Sequence, residues 1–205
     1  MKISFEYCSL HYLNWWLSHD MICCQAFDKG DKAEKLNALK EVAAHYSIAR
    51  NLPTEFDLDK GFARYEPILN IIDALPSNTF ESHDIVAKIT EIEGQISKVY
   101  GGDKKLSLTT KFLWMKFKHP VVIYDAMVRT ALDTNDGDLE VYYEKWREQF
   151  AVHKKEIVAA CAQLASVHQY AANQEIGTKE YIDQISSEQW FHERVLDTYL
   201  WHMEA

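Results

Sequence analysis

Residues Leu106 to Leu132 read LSLTTKFLWMKFKHPVVIYDAMVRTAL, and this stretch organises the rest of the chain. A helix is predicted to begin near Leu108 with Lys111 in its opening turn. A hydrophobic connection then runs through Pro120, and Asp125 stands where a capping residue would start the next helix. Two helix entrances can therefore converge, building either a lysine and carboxylate active site or simply a well-capped helix pair.

The flanking sequence has the same helical character. Among 205 residues there are only 7 glycines and 4 prolines, and apolar positions, 47% of the total, recur at three- and four-residue spacings rather than alternating. The class expected is all-α, a single compact multi-helix domain over residues 1–205 with enough apolar material for a substantial core. The aromatic run CSLHYLNWWLSHDMICC near the start is broken by His11, His19 and Asp20, so it reads neither as a spanning helix nor as a signal-peptide core. A cytoplasmic protein without membrane partners is expected. Cys8, Cys23, Cys24 and Cys161 lack CxxC spacing and the density of a secreted scaffold, which points to buried free thiols.

About eight helices are predicted. The first spans roughly Phe5 to Phe27 and ends near Gly30; the second is capped by Asp31 and carries Leu36, Leu39, Val42, Ala43 and Tyr46 on one face. Pro67 suits the first position of a short helix, and Ser82 or Asp84 caps a helix that stops at Gly101-Gly102. A long pattern from Asp138 to Ala172 reads as one helix or two in tandem. Ser186 and Gln189 match a capping box ahead of the last helix, on which Arg194, Asp197 and Trp201 recur at helical spacing and read as docking residues.

The net charge of −9 disfavours nonspecific attraction to nucleic acid or to an anionic membrane. Residues 98–119 reverse that balance locally, with six lysines against Asp103 alone. Lys104, Lys105, Lys116 and Lys118, with Arg129 beyond them, are the candidate nucleic-acid or anion-binding residues; solvated helix surface is the competing reading.

Thr110-Lys111 at a helix opening, the connection through Pro120, and the pattern Asp125-x-x-Val128-Arg129 resemble the helix-hairpin-helix DNA glycosylases of the oxoguanine-glycosylase and endonuclease III type. The resemblance covers about 30 residues of a core spanning 82–133. It implies that Lys111 is a nucleophile attacking the sugar C1′ to displace a damaged base, with Asp125 as its electrostatic partner. An amine suits this chemistry because it forms a Schiff base once it has lost its proton, and a carboxylate stabilises positive charge developing on the sugar. The family's hairpin carries a glycine-containing turn, whereas the corresponding positions here read Lys105 to Thr109, with Gly101-Gly102 upstream. The four scattered cysteines offer no iron–sulfur set.

Taken alone, Lys111 reads as a solvated residue near a helix start and Asp125 as an ordinary N-cap. Two functions are therefore carried forward: a DNA glycosylase or abasic-site lyase partnered by DNA, and a non-catalytic helical protein that keeps the scaffold and binds a protein or an anionic ligand. No cofactor is expected, and the nine histidines show no metal-ligand spacing. Arg64 reads as a loop arginine stacked on Tyr65, and most of the tryptophans and tyrosines as core residues.

Overall fold

Short polar side chains start most of the helices, because a helix leaves its first N–H groups without backbone partners. Ser4, Asp31, Asp84, Asp125, Asp138 and Thr178 each accept a bond from a backbone N–H two or three residues on, and Asp31 with Glu34 completes a reciprocal capping box. In the computed structural model, which describes residues 3–52, 62–80 and 84–204, every regular element is helical. Ten α-helices follow one another: α1 (Phe5–Trp15), α2 (Met21–Lys29), α3 (Lys32–His45), α4 (Phe62–Asp73), α5 (Ile85–Val99), α6 (Leu106–Phe117), α7 (Ala126–Ala131), α8 (Leu139–Cys161), α9 (Lys179–Ser186) and α10 (Gln189–Glu204). A π-helical turn, Trp16–Asp20, joins α1 to α2, and a 3-10 segment, Leu164–Tyr170, follows α8. Among the described residues no helix is long and apolar enough to cross a membrane.

The chain packs as two compact units. The first, His19–Tyr124, buries Leu39, Val42, Ile68, Ile72, Ile89, Ile92 and Ile96 almost completely, each contributing on the order of 1.5–3 kcal/mol. Its centre is α6, where Leu106 and Leu108 through Met115 are all buried. A helix enclosed on every side needs no polar face, which explains a sequence that lacks a clean apolar stripe.

Two local expectations in this unit are corrected. Pro67 lies inside α4 rather than at its first position. The helix starts earlier because Arg64 Nη2 donates to the Ala49 and Leu52 carbonyls, 2.6 Å each, and the Tyr100 hydroxyl donates to the Arg64 carbonyl at 2.6 Å. These bonds outweigh the single backbone bond lost at the proline. Arg64 is accordingly a helix residue tying down the preceding turn rather than a loop residue. Of the two caps proposed for α5, Asp84 takes the role and Ser82 lies outside the described residues.

The second unit comprises Met1–Ser18 and Asp125–Ala205. In it α10 packs against α1, α7 and α8. Asp138 starts α8, which ends at Cys161, so the long pattern resolves into one helix and a 3-10 segment. Ser186 ends α9 instead of opening α10: its hydroxyl donates to the Asp183 carbonyl at 3.3 Å, and Gln189 Nε2 donates to Glu193 at 2.9 Å, so the expected capping box does not form. Arg194 and Asp197 are buried on α10 as docking residues would be, whereas Trp201 is 42% exposed. All four cysteines are free and buried, and burial pushes the thiols of Cys8, Cys23 and Cys161 up to about 12.

Candidate functional site

The helix pair α5 and α6 positions Lys111. Val99 ends α5, and Gly101 and Gly102 follow with φ of 91° and 90°, backbone angles that residues with a Cβ rarely adopt. Gly102 donates its N–H back to the Ser97 carbonyl at 2.7 Å, closing the helix. Glu93, buried on α5, accepts the Lys105 backbone N–H at 2.6 Å, which fixes where α6 begins. Lys105 to Thr109 were expected to hold the turn between the helices. In the structure Leu106 already opens α6, so the turn is residues 100–105 and contains both glycines. Burial of Leu106 and Leu108 explains the early start.

Lys111 therefore sits in the second turn of α6, not at its entrance, and is 2% exposed. Its ammonium donates to Ser107 Oγ at 2.8 Å, one turn earlier on the helix, and lies 5.8 Å from the centre of the Tyr46 ring. The Tyr46 hydroxyl in turn donates to the buried Asp20 carboxylate, 2.9 and 3.0 Å from its two oxygens. Asp20 closes the π-helical turn, a distortion often found where side chains are aimed for function. His19 and His45 meet edge to face at 4.2 Å, and burial followed by the charge of His19 lowers the His45 pKa. Ser107, Tyr46 and Asp20 went unrecognised in the sequence because they lie 4, 65 and 91 positions from Lys111.

One residue before Lys111, the buried Thr110 hydroxyl donates to the Leu106 carbonyl and accepts the Tyr124 N–H, both at 2.9 Å. The apolar segment Val121 to Tyr124 is buried along its length. Thr110 thus fastens the peptide that leads directly into Asp125. Asp125 opens the second unit, where it is half-buried and accepts the Met127 N–H at 3.0 Å as the N-cap of α7. Within that unit its backbone is hydrogen-bonded to the fully buried Tyr142 hydroxyl.

The cations proposed for anion binding have different surroundings. Lys104 is exposed in the glycine turn, whereas Lys105 is buried with its amine 3.3 Å from the Asp103 carbonyl. Lys116 directs its amine to the Ile72, Asp73 and Leu75 carbonyls at 2.8, 3.2 and 2.8 Å, where it closes the end of α4. Burial lowers its pKa, the nearby Asp73 acting in the opposite direction. Lys118 is half-buried, and Arg129, also half-buried, lies 3.7 Å from Asp136. Among the described residues no group of three or more His, Cys, Asp or Glu is placed to hold a metal ion.

A second polar cluster lies inside the other unit. Asp197 accepts bonds from Trp146 Nε1 and Arg194 Nη1, each 2.7 Å, and the Arg194 guanidinium lies 5.1 Å from the centre of the Tyr12 ring. Burial raises the Asp197 carboxyl to about 6 although Arg194 and Trp146 pull it down. Comparison with protein-family models, with curated proteins and with solved structures returned no match.

Proposed function

We propose that the chain is a lysine-dependent DNA glycosylase or abasic-site lyase of the helix-hairpin-helix kind, with Lys111 as nucleophile and Asp125 as its electrostatic partner. One arrangement carries the reading: a buried lysine on the helix after a glycine turn, next to the threonine that anchors the peptide entering Asp125. In the reaction the neutral amine attacks C1′. The new N–C1′ bond forms as the bond to the base breaks and its electron pair leaves with the base, which takes up one amine proton; the C1′–O4′ bond then breaks as the nitrogen lone pair forms the C=N bond, and the second amine proton goes to O4′, giving the ring-opened Schiff base. Positive charge developing on the sugar calls for a nearby carboxylate, the role given to Asp125. Lys104 in the turn supplies an exposed cation for a phosphate.

Borohydride trapping on duplexes containing an abasic site or oxoguanine tests this, because reduction turns the Schiff base into a stable amine. The expected result is a covalent adduct that disappears in Lys111→Gln while the circular dichroism spectrum is retained. A non-catalytic helical interaction protein is the second reading, favoured by the net charge of −9 and by the commitment of Lys116 to backbone carbonyls. Absence of adduct on both duplexes from folded protein selects it.

A further inference from the structure

Helices α1 and α10 lie side by side in the unit formed by Met1–Ser18 and Asp125–Ala205. Phe5 and Tyr199 mark one point of the seam, with ring centres 4.5 Å apart. Farther along, His11 of α1 meets His202 of α10: Nδ1 of the first is 3.2 Å from Nε2 of the second, and the ring centres are 5.2 Å apart. Tyr7 packs against both rings, at 5.8 and 5.6 Å. His11 is exposed and His202 half-buried, so the pair is open to solvent and its ions.

Two neutral imidazoles meeting this way share one N–H and one lone pair in a hydrogen bond. A metal ion would instead use both lone pairs. Zinc binds imidazole nitrogen at roughly 2.0–2.1 Å in tetrahedral geometry, which places two nitrogens on the same ion about 3.3 Å apart. The observed 3.2 Å is close to that separation.

We propose that His11 and His202 form a two-histidine site for a divalent transition-metal ion of the imidazole-preferring class, copper(II) ahead of zinc(II), that clasps α1 to α10. The remaining coordination positions are left to water or to an external ligand. No motif announces such a site, because its ligands are 191 positions apart in the chain.

Calorimetric titration of the full chain with copper(II) and zinc(II) chloride near neutral pH tests the site. One ion per chain is expected, with copper binding tighter than zinc. His11→Ala and His202→Ala are each expected to weaken copper binding by at least about tenfold. His45→Ala, in the His19–His45 pair of the other unit, should leave it unchanged. Electron paramagnetic resonance of the copper complex should show coupling to two imidazole nitrogens, reduced to one in either variant. Absence of binding, or binding of undiminished strength in both variants, overturns the site and leaves the pair as a hydrogen bond.

Discussion

Replacing Asp197 with asparagine asks whether the buried Arg194–Asp197 pair stabilises the fold. The carboxylate is 5% exposed and its two bonds, to Trp146 and Arg194, are both 2.7 Å. Burial raises its pKa from 3.8 to about 6 even with Arg194 beside it, so desolvation outweighs the attraction of the guanidinium. A rise of that size means that the ionised carboxylate opposes folding by about 3 kcal/mol relative to its neutral form. Asparagine removes the charge but offers one acceptor instead of two, and the donor left over costs about 1–3 kcal/mol. The two effects nearly cancel, so Asp197→Asn is expected within about 2 kcal/mol of wild type near neutral pH, against the roughly 3–5 kcal/mol loss expected if the Arg194 charge left behind were uncompensated. The pH dependence separates the cases further. The folded carboxyl takes up a proton near pH 6 while the unfolded one stays ionised almost to 3.8, so acidification from about pH 7 to about pH 5 stabilises wild type by about 1 kcal/mol through this group, and the variant gains nothing there. His11, His45 and His192, whose pKa values are lowered in the fold, act in the opposite direction, but equally in both proteins. Urea unfolding followed by tryptophan fluorescence across this range measures the difference. Parallel stability curves, with the variant several kcal/mol lower throughout, would refute the reasoning.

Two other substitutions probe the anchors around α6. Thr110→Val keeps the shape but leaves the buried Tyr124 N–H without its acceptor, an expected loss of about 1–3 kcal/mol in unfolding free energy, and it should lower any adduct yield more than that destabilisation explains because the peptide entering Asp125 is released. Lys116→Met removes the cation that closes the end of α4, and a drop of about 1–2 kcal/mol by denaturant titration is expected with adduct formation unchanged; a selective loss of DNA binding instead would return Lys116 to the nucleic-acid interface.

The all-helical class was legible because it rests on local chemistry. Asp31, Asp84 and Asp138 cap where short polar residues should, and Gly101-Gly102 ends α5 because those positions need positive φ. The failures were places where distant groups override the local pattern. Local sequence makes Pro67 a helix start, but Arg64 anchors a turn ahead of it through carbonyls 12 and 15 positions away. The start of α6 was set two residues late, since the contact that fixes it is the bond from Lys105 to Glu93, 12 positions upstream. Lys111 stands out by residue type and spacing, while Tyr46 beside it and Asp20, which is bonded to Tyr46, belong to α3's end and a π-helical turn that periodicity does not reveal.

The early start of α6 also changes which residues form the turn that follows α5. The sequence puts Lys105 to Thr109 in the turn, with the glycines upstream; with α6 beginning at Leu106, the turn between the helices is residues 100–105 and includes Gly101 and Gly102. Those six residues leave the turn glycines and Lys104 exposed but bury Lys105. Those six residues offer a phosphate backbone one exposed lysine and a glycine turn, on a chain of net charge −9, so electrostatic attraction through the turn alone supplies little affinity. Any DNA chemistry by this protein has to draw its selectivity from an extruded sugar or base reaching the buried Lys111 amine, since unpaired or damaged nucleotides are the ones that leave a duplex at least cost.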